Sequence, residues 1–244
     1  MTSRKLFKLC TWFLSIILLF LLSNYCVQKA SSLDGARQSD RAVIITQLTK
    51  ANIVYLGEIH DSNKDHQAQL EIIKTLYKKN PQIAIALEMF QRQFQPVLDQ
   101  YISGKIDENQ LKKQSEYEER WGFDWEYYAP ILRFAKNNSL SLLALNTPTE
   151  ITTKVSTEGL NSLTKEEREQ IPPISEIRTD NQDYRQMLAE VYQKHMHGKH
   201  GNSEDIDSFF TTQVLWDETM AEAIAQFHQK NSADRMIVLA GQGH

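Results

Sequence analysis

Four short apolar runs punctuate the chain, at residues 53–56, 83–87, 140–145 and 236–240. Each is rich in Ile, Val, Leu and Ala and stops abruptly, the pattern of a strand buried on both faces of a parallel sheet. Between them the apolar positions switch to helical spacing. Leu70, Ile73, Leu76 and Tyr77 recur at that spacing and predict a helix over 63–80, stopped by Pro81. Further helices are expected over 40–50, 91–103, 107–115, 149–159, 180–195 and 205–230. Gly104 is placed to close the helix before it, and Thr164-Lys165-Glu166-Glu167 has capping-box spacing. Pro130 is expected near the start of one more helix, running to Lys136. Strands alternating with helices define the fold class: α/β, a mostly parallel central sheet flanked by helices, in a single domain.

The first and last runs break in the same way. Val54-Tyr55-Leu56 passes into Gly57-Glu58-Ile59-His60, and Val238-Leu239-Ala240 passes into Gly241-Gln242-Gly243-His244. A glycine there frees the backbone to leave the strand. The histidine then falls just past the strand's carboxyl end, the edge at which open α/β sheets bind ligands. If the two strands are neighbours or nearly so, His60 and His244 share a crevice. Glu88, which ends the second run, and Glu58 would stand close by. Carboxylates and imidazoles gathered at one edge can hold a divalent cation or act as base and orienter. Asp217, in the middle of the 205–230 helix, joins them if that helix packs under the last strand. His66 reads as a solvated surface histidine. Two other segments carry candidate chemistry: the aromatic stretch Trp121 to Tyr128, as a lining for an apolar cofactor, and His195, His197 and His200, as imidazole ligands in a glycine-containing loop.

Composition narrows the class. The chain has 244 residues, 41% of them hydrophobic, enough for one domain with a full core and a leader. A net charge of −4 gives no basic footprint for nucleic acid. Arg4, Lys5 and Lys8 precede an apolar run over 9–22, the layout of a signal peptide or an N-terminal anchor over residues 1–32. The domain over 33–244 is then exported, periplasmic or held on the outer side of the cytoplasmic membrane. Both cysteines, Cys10 and Cys26, lie in that leader, so the domain has no disulfide. Bulky Tyr25 stands where lipid-modified cysteines have a small neighbour, and Cys26 is expected to carry no lipid. The chain stops on His244, at the mouth of the crevice, an edge that a domain normally covers, and the sequence is expected to be a fragment or to have lost a last element.

Six short motifs, in order, resemble the ChaN family of haem-binding, iron-regulated lipoproteins. They are Gly57-Glu58-Ile59-His60-Asp61, Ala86-Leu87-Glu88-Met89-Phe90, Trp125 through Tyr128 to Pro130, Ala144-Leu145-Asn146, Trp216-Asp217-Glu218-x-Met220-Ala221 and Gly241-x-Gly243-His244. The resemblance implies haem binding in uptake or handling of haem or iron, with Tyr127, Tyr128 or the histidines 195, 197 and 200 as candidate axial ligands. It also implies a homodimer. Through the related Tiki, TraB-type and erythromycin-esterase proteins it implies an alternative: a divalent-metal-dependent hydrolase with Glu58, His60, Glu88 and His244 as catalytic groups. In that alternative Asp217 is a further metal ligand.

Overall fold

The structure, a computed structural model, describes residues 40–196, 206–231 and 234–244, with the backbone alone over 190–196. The chain divides into two compact units, Met1–Lys50 and Ala51–His244. In the first, the described residues form helix α1 over 40–48; the leader lies outside the described residues. No described helix is long and apolar enough to cross a membrane.

The second unit is built on four parallel strands. They are β1 (Ile53–Glu58), β2 (Ile83–Gln91), β3 (Ser141–Asn146) and β4 (Arg235–Gly241), in the spatial order β1-β4-β2-β3. All four strands form where the apolar runs predict them, and β4 lies against β1, in register from Ile53↔Met236 to Glu58↔Gly241. Neighbouring parallel strands deliver both Gly-x-x-His turns to the same edge.

Helices follow between the strands: α2 (Asn63–Lys79), α3 (Gln95–Ile102), α4 (Glu108–Gln114), α5 (Tyr117–Arg120), α6 (Trp125–Asn137), α7 (Thr149–Glu158), α8 (Lys165–Arg168), α9 (Gln182–Met196) and α10 (Ile206–Lys230). Helix α2 starts at Ser62, whose hydroxyl accepts from the Asp65 N–H. Capping boxes open α4 at Asp107 and α8 at Thr164, as the spacing of the latter predicts. Gly104 has φ +75°, a left-handed value that glycine takes without strain. Two expectations are corrected. Pro130 lies well inside α6, which begins at Trp125 under the Asp124 cap, and the helix runs past it at the loss of one backbone bond. Strand β2 does not stop at Glu88 but continues to Gln91, with a register shift between Leu87 and Gln91.

Helices cover both faces of the sheet. On one face Met220, Ala223 and Ile224 of α10 pack on Ala86, Leu145, Met236 and Val238. On the other, α2 packs against β1 and α6, with Ile73 and Leu76 fully buried. Edge strand β1 alternates accordingly: Val54 and Glu58 point into the α2 side, while Tyr55 and Gly57 are exposed on the α10 side.

Candidate functional site

At the carboxyl edge of β1, Glu58 is a carboxylate only 2% exposed. Three donors meet it. Tyr128 Oη reaches Oε1 at 2.6 Å, His60 Nδ1 lies 3.0 Å from the same oxygen, and Gln69 Nε2 donates to Oε2 at 2.8 Å. Burial on its own raises a carboxyl's pKa; here the bonds from His60, Tyr128 and Gln69 outweigh it and Glu58 is held below the ordinary value. The bond to Glu58 in turn raises His60, against its own burial and with help from the charge of Glu88. Its Nε2 has no hydrogen-bond partner among the described residues, and the ring is walled by Trp121 at 4.9 Å and Phe123 at 4.8 Å.

Helix α2 supplies the support beneath. Gln69 also donates to the Leu56 carbonyl, and His66 Nε2 donates to the His60 carbonyl at 2.9 Å. His66 is 3% exposed, so its reading as a surface histidine is corrected. The signal was present: residues 66, 69, 73 and 76 lie on one helical face, and that face is buried.

A second group forms around the end of β4. His244 Nε2 donates to Glu88 Oε1 at 3.1 Å, and Nδ1 donates to Asp217 Oδ1 at 2.6 Å. Glu88 Oε2 accepts the Gly241 N–H at 2.6 Å, and Asp217 accepts the Tyr184 hydroxyl. Burial opposes the charge on His244, whose side chain is 18% exposed, but bonds to Asp217 and Glu88 prevail and push its pKa up to about 10. Asp217 thus reaches the edge from α10, as its expected packing requires.

The two groups meet over Gly241. A Cβ on that residue would sit 2.7 Å from both Cε1 and Nε2 of His60 and 3.7 Å from Glu88 Oε2. Neither Gly57 nor Gly241 has a positive φ, so the expected role of these glycines in turning the chain is corrected; Gly241 is needed for space. Because His60 is pinned by Glu58 and its aromatic walls, Gly241→Ala is expected to cost about 1–3 kcal/mol by overpacking. Urea unfolding measures that loss, and a fall of the His60 pKa by NMR shows that the ring has left Glu58.

The structure brings Glu58, His60, Glu88, Asp217 and His244 to one edge, but as two hydrogen-bonded groups. Among the described residues no set of three or more His, Cys, Asp or Glu side chains is arranged to hold a metal ion. Tyr128, a candidate axial ligand, is 1% exposed and commits its hydroxyl to Glu58, so it supports that carboxylate from the core. Tyr127 stacks on His66 at 5.1 Å. His195 falls within α9 rather than in a loop, and His197 and His200 lie outside the described residues.

Beside the two groups a cleft of about 350 Å³ opens between β1, β4 and α10. Tyr55, Leu56, Gly57, Val238 and Ala240 line the sheet side, and Met220, Ala221 and Ile224 the helix side, with Asp217 and His244 at one end. Tyr55 pairs with Val238 and Gly57 with Ala240, so small residues make up the part of the floor formed by the second pair. A Cβ on Gly57 would meet nothing within 4 Å. Tyr55 is 65% exposed beside it. Sequence reasoning missed this tyrosine because it sits inside an apolar run; the period-two alternation of an edge strand was the available signal.

Fold and site together define a parallel α/β protein with a carboxylate–imidazole edge beside an apolar slot. The chain belongs to the family described as haem-binding uptake, Tiki superfamily, ChaN, whose sequence model matches residues 44–244. Its fold is that of the structure described as cofacial heme binding to ChaN of Campylobacter jejuni. The TM-score is 0.66, with 20% identity, over 83% of this chain and 75% of that one. A mutant of the erythromycin esterase EreC in its open conformation has a TM-score of 0.47 and 15% identity, over 83% of this chain and 64% of that one. Among curated proteins, RETICULATA-RELATED 5, chloroplastic, of Arabidopsis thaliana is 32% identical over 141 residues. That stretch is 55% of this chain and 19% of the plant protein.

Proposed function

We propose that this protein binds haem in the cleft between β1, β4 and α10, and that it serves haem or iron uptake as an exported or membrane-anchored protein. The observation that carries the reading is the shape and chemistry of the cleft. Flat aromatic macrocycles need two apolar walls and little relief between them. Gly57 and Ala240 on the floor and Ala221 on the helix provide low relief, and Met220, Ile224 and Val238 provide apolar contact. A volume of about 350 Å³ falls within the range of ligand clefts. Haem bound there supplies an iron centre whose visible spectrum reports its axial ligand. Tyr55 would hold that iron through its phenol oxygen, an established mode of haem ligation. Membership of the haem-binding family and the fold shared with the Campylobacter protein support the reading, and the basic start with its apolar run supports export. A hydrolase using a bare divalent ion calls for a set of ligands converging on one point. The described carboxylates and imidazoles instead form two separate hydrogen-bonded groups, and haem is the reading carried forward.

Haem titration of the chain followed at the Soret band tests it. The chain is expected to give a saturable band, and Tyr55→Phe to shift it and weaken binding by about tenfold or more, on the order of 1.4 kcal/mol. Tyr127→Phe is expected to leave band and affinity unchanged. A Tyr55→Phe protein that titrates like the parent would remove Tyr55 as the ligand, and a chain with no saturable band would end the haem reading.

A further inference from the structure

We infer that the outer edge of β1 is an interaction surface whose occupant is β1 of a second copy, laid antiparallel about a twofold axis at Tyr55. The inference is independent of the haem reading. The Asn52 carbonyl accepts from the Met236 N–H and the Glu58 carbonyl from the Gln242 N–H, so the even-numbered residues of β1 face β4. The N–H and C=O of Ile53, Tyr55 and Gly57 point the other way, and they have no partner among the described residues. At β3, the opposite edge of the sheet, the Gln95 side chain donates to the Leu142 carbonyl at 2.8 Å and accepts from the Ala144 N–H at 2.8 Å. That amide takes the place of a further strand, and α3 packs beside it. Strand edges that stay single carry charges, proline or bulges that discourage pairing. From Ile53 to Gly57 β1 has no charged residue and no proline, and its register with β4 is unbroken.

The strand matches its own antiparallel image. With Tyr55 opposite the partner's Tyr55, Ile53 faces the partner's Gly57, and Gly57 faces the partner's Ile53. All three outward residues of each copy then form hydrogen-bonded pairs, and a register displaced by two residues leaves one of them out. Tyr55 is 65% exposed on the α10 side, where directly opposed aromatic side chains stabilise such a pair. A Cβ on Gly57 would meet nothing within 4 Å, which leaves room for the partner's Ile53. No like charges meet across the pair, because Glu58 is turned to the α2 side and held there by Tyr128 and Gln69 of its own chain. The twofold keeps both α10 faces on one side of a joined sheet, and the partner's Tyr55 then stands at the edge of the cleft.

Amide hydrogen exchange of the full chain without haem, at low and at high protein concentration, tests the pairing residue by residue. The Val54, Leu56 and Glu58 amides face β4 and serve as the reference, slow at both concentrations. The Ile53, Tyr55 and Gly57 amides are expected to exchange freely when dilute and to slow by about tenfold or more when concentrated. Gly57→Lys places a charge on the pairing edge at a position with room for a side chain. It is expected to abolish the slowing and leave the reference amides unchanged. Free exchange of the three amides at both concentrations overturns the inference. Equal slowing at both overturns it too, because the cover would then come from the same chain, and slowing that survives Gly57→Lys puts the contact elsewhere and overturns it as well.

Discussion

Glu58→Leu is expected to destabilise the Ala51–His244 unit by about 3–5 kcal/mol, because it strips one buried acceptor from three donors at once. Tyr128, Gln69 and His60 each lose their partner on Glu58, and the two buried donors, Tyr128 and Gln69, each cost about 1–3 kcal/mol when orphaned, though not additively. In a domain of this size the change lowers Tm by on the order of 10 °C. Glu58→Gln keeps the shape and one oxygen and is expected to lose less, about 1–2 kcal/mol, since a neutral acceptor forms weaker bonds than a carboxylate. Calorimetry of the two variants reads the difference. An independent check is the His60 imidazole: with Glu58 gone its pKa falls from its raised value. If Glu58→Leu is as stable as the parent, Glu58 does not tie β1 to α2 and α6.

His244→Ala is expected to cost about 3 kcal/mol near pH 7, with a pH dependence whose sign follows from the raised pKa. The folded value of about 10 exceeds the ordinary 6.5. Folding therefore favours the protonated ring. The stabilisation is complete below about pH 6.5 and is lost as pH rises through about 10. Urea unfolding of parent and variant across that window should show the gap between them closing with rising pH. A constant gap would mean that His244 acts by packing and not as the cation between Glu88 and Asp217.

Much of this architecture was legible in the sequence because burial on both faces leaves a plain signal. The four strands lie where their apolar runs place them, and the repeated Gly-x-x-His turn marked the strands that became neighbours. What the sequence did not display was pairing across elements. Tyr128 looked like an aromatic of a cofactor pocket because nothing local shows that its hydroxyl is met by a carboxylate seventy residues away in sequence. Glu88 looked like a strand end because a carboxylate in a strand is costly without partners, and its partner, the Gly241 N–H, comes from another strand. His66 and Gln69 are polar residues on a helix face that otherwise reads as apolar at Ile73 and Leu76; only the buried acceptors above them explain their position. Pro130 misplaced the start of α6 because proline favours first turns, while the aspartate cap at Asp124 was the stronger marker.

The order of strands also governs how the chain can assemble. In the sheet β1 has a single neighbour, β4, although the two stand near opposite ends of the described chain. During synthesis β1 emerges early and stays without a hydrogen-bonded neighbour until β4 has left the ribosome. Pairings between such distant segments close slowly, because the loop between them must first be ordered. Meanwhile a strand that exposes Tyr55 waits with both backbone edges open, the state most prone to pairing with another chain. The wall of the cleft and the latest step of sheet assembly are thus one event: the slot exists only once β4 slides in between β1 and β2.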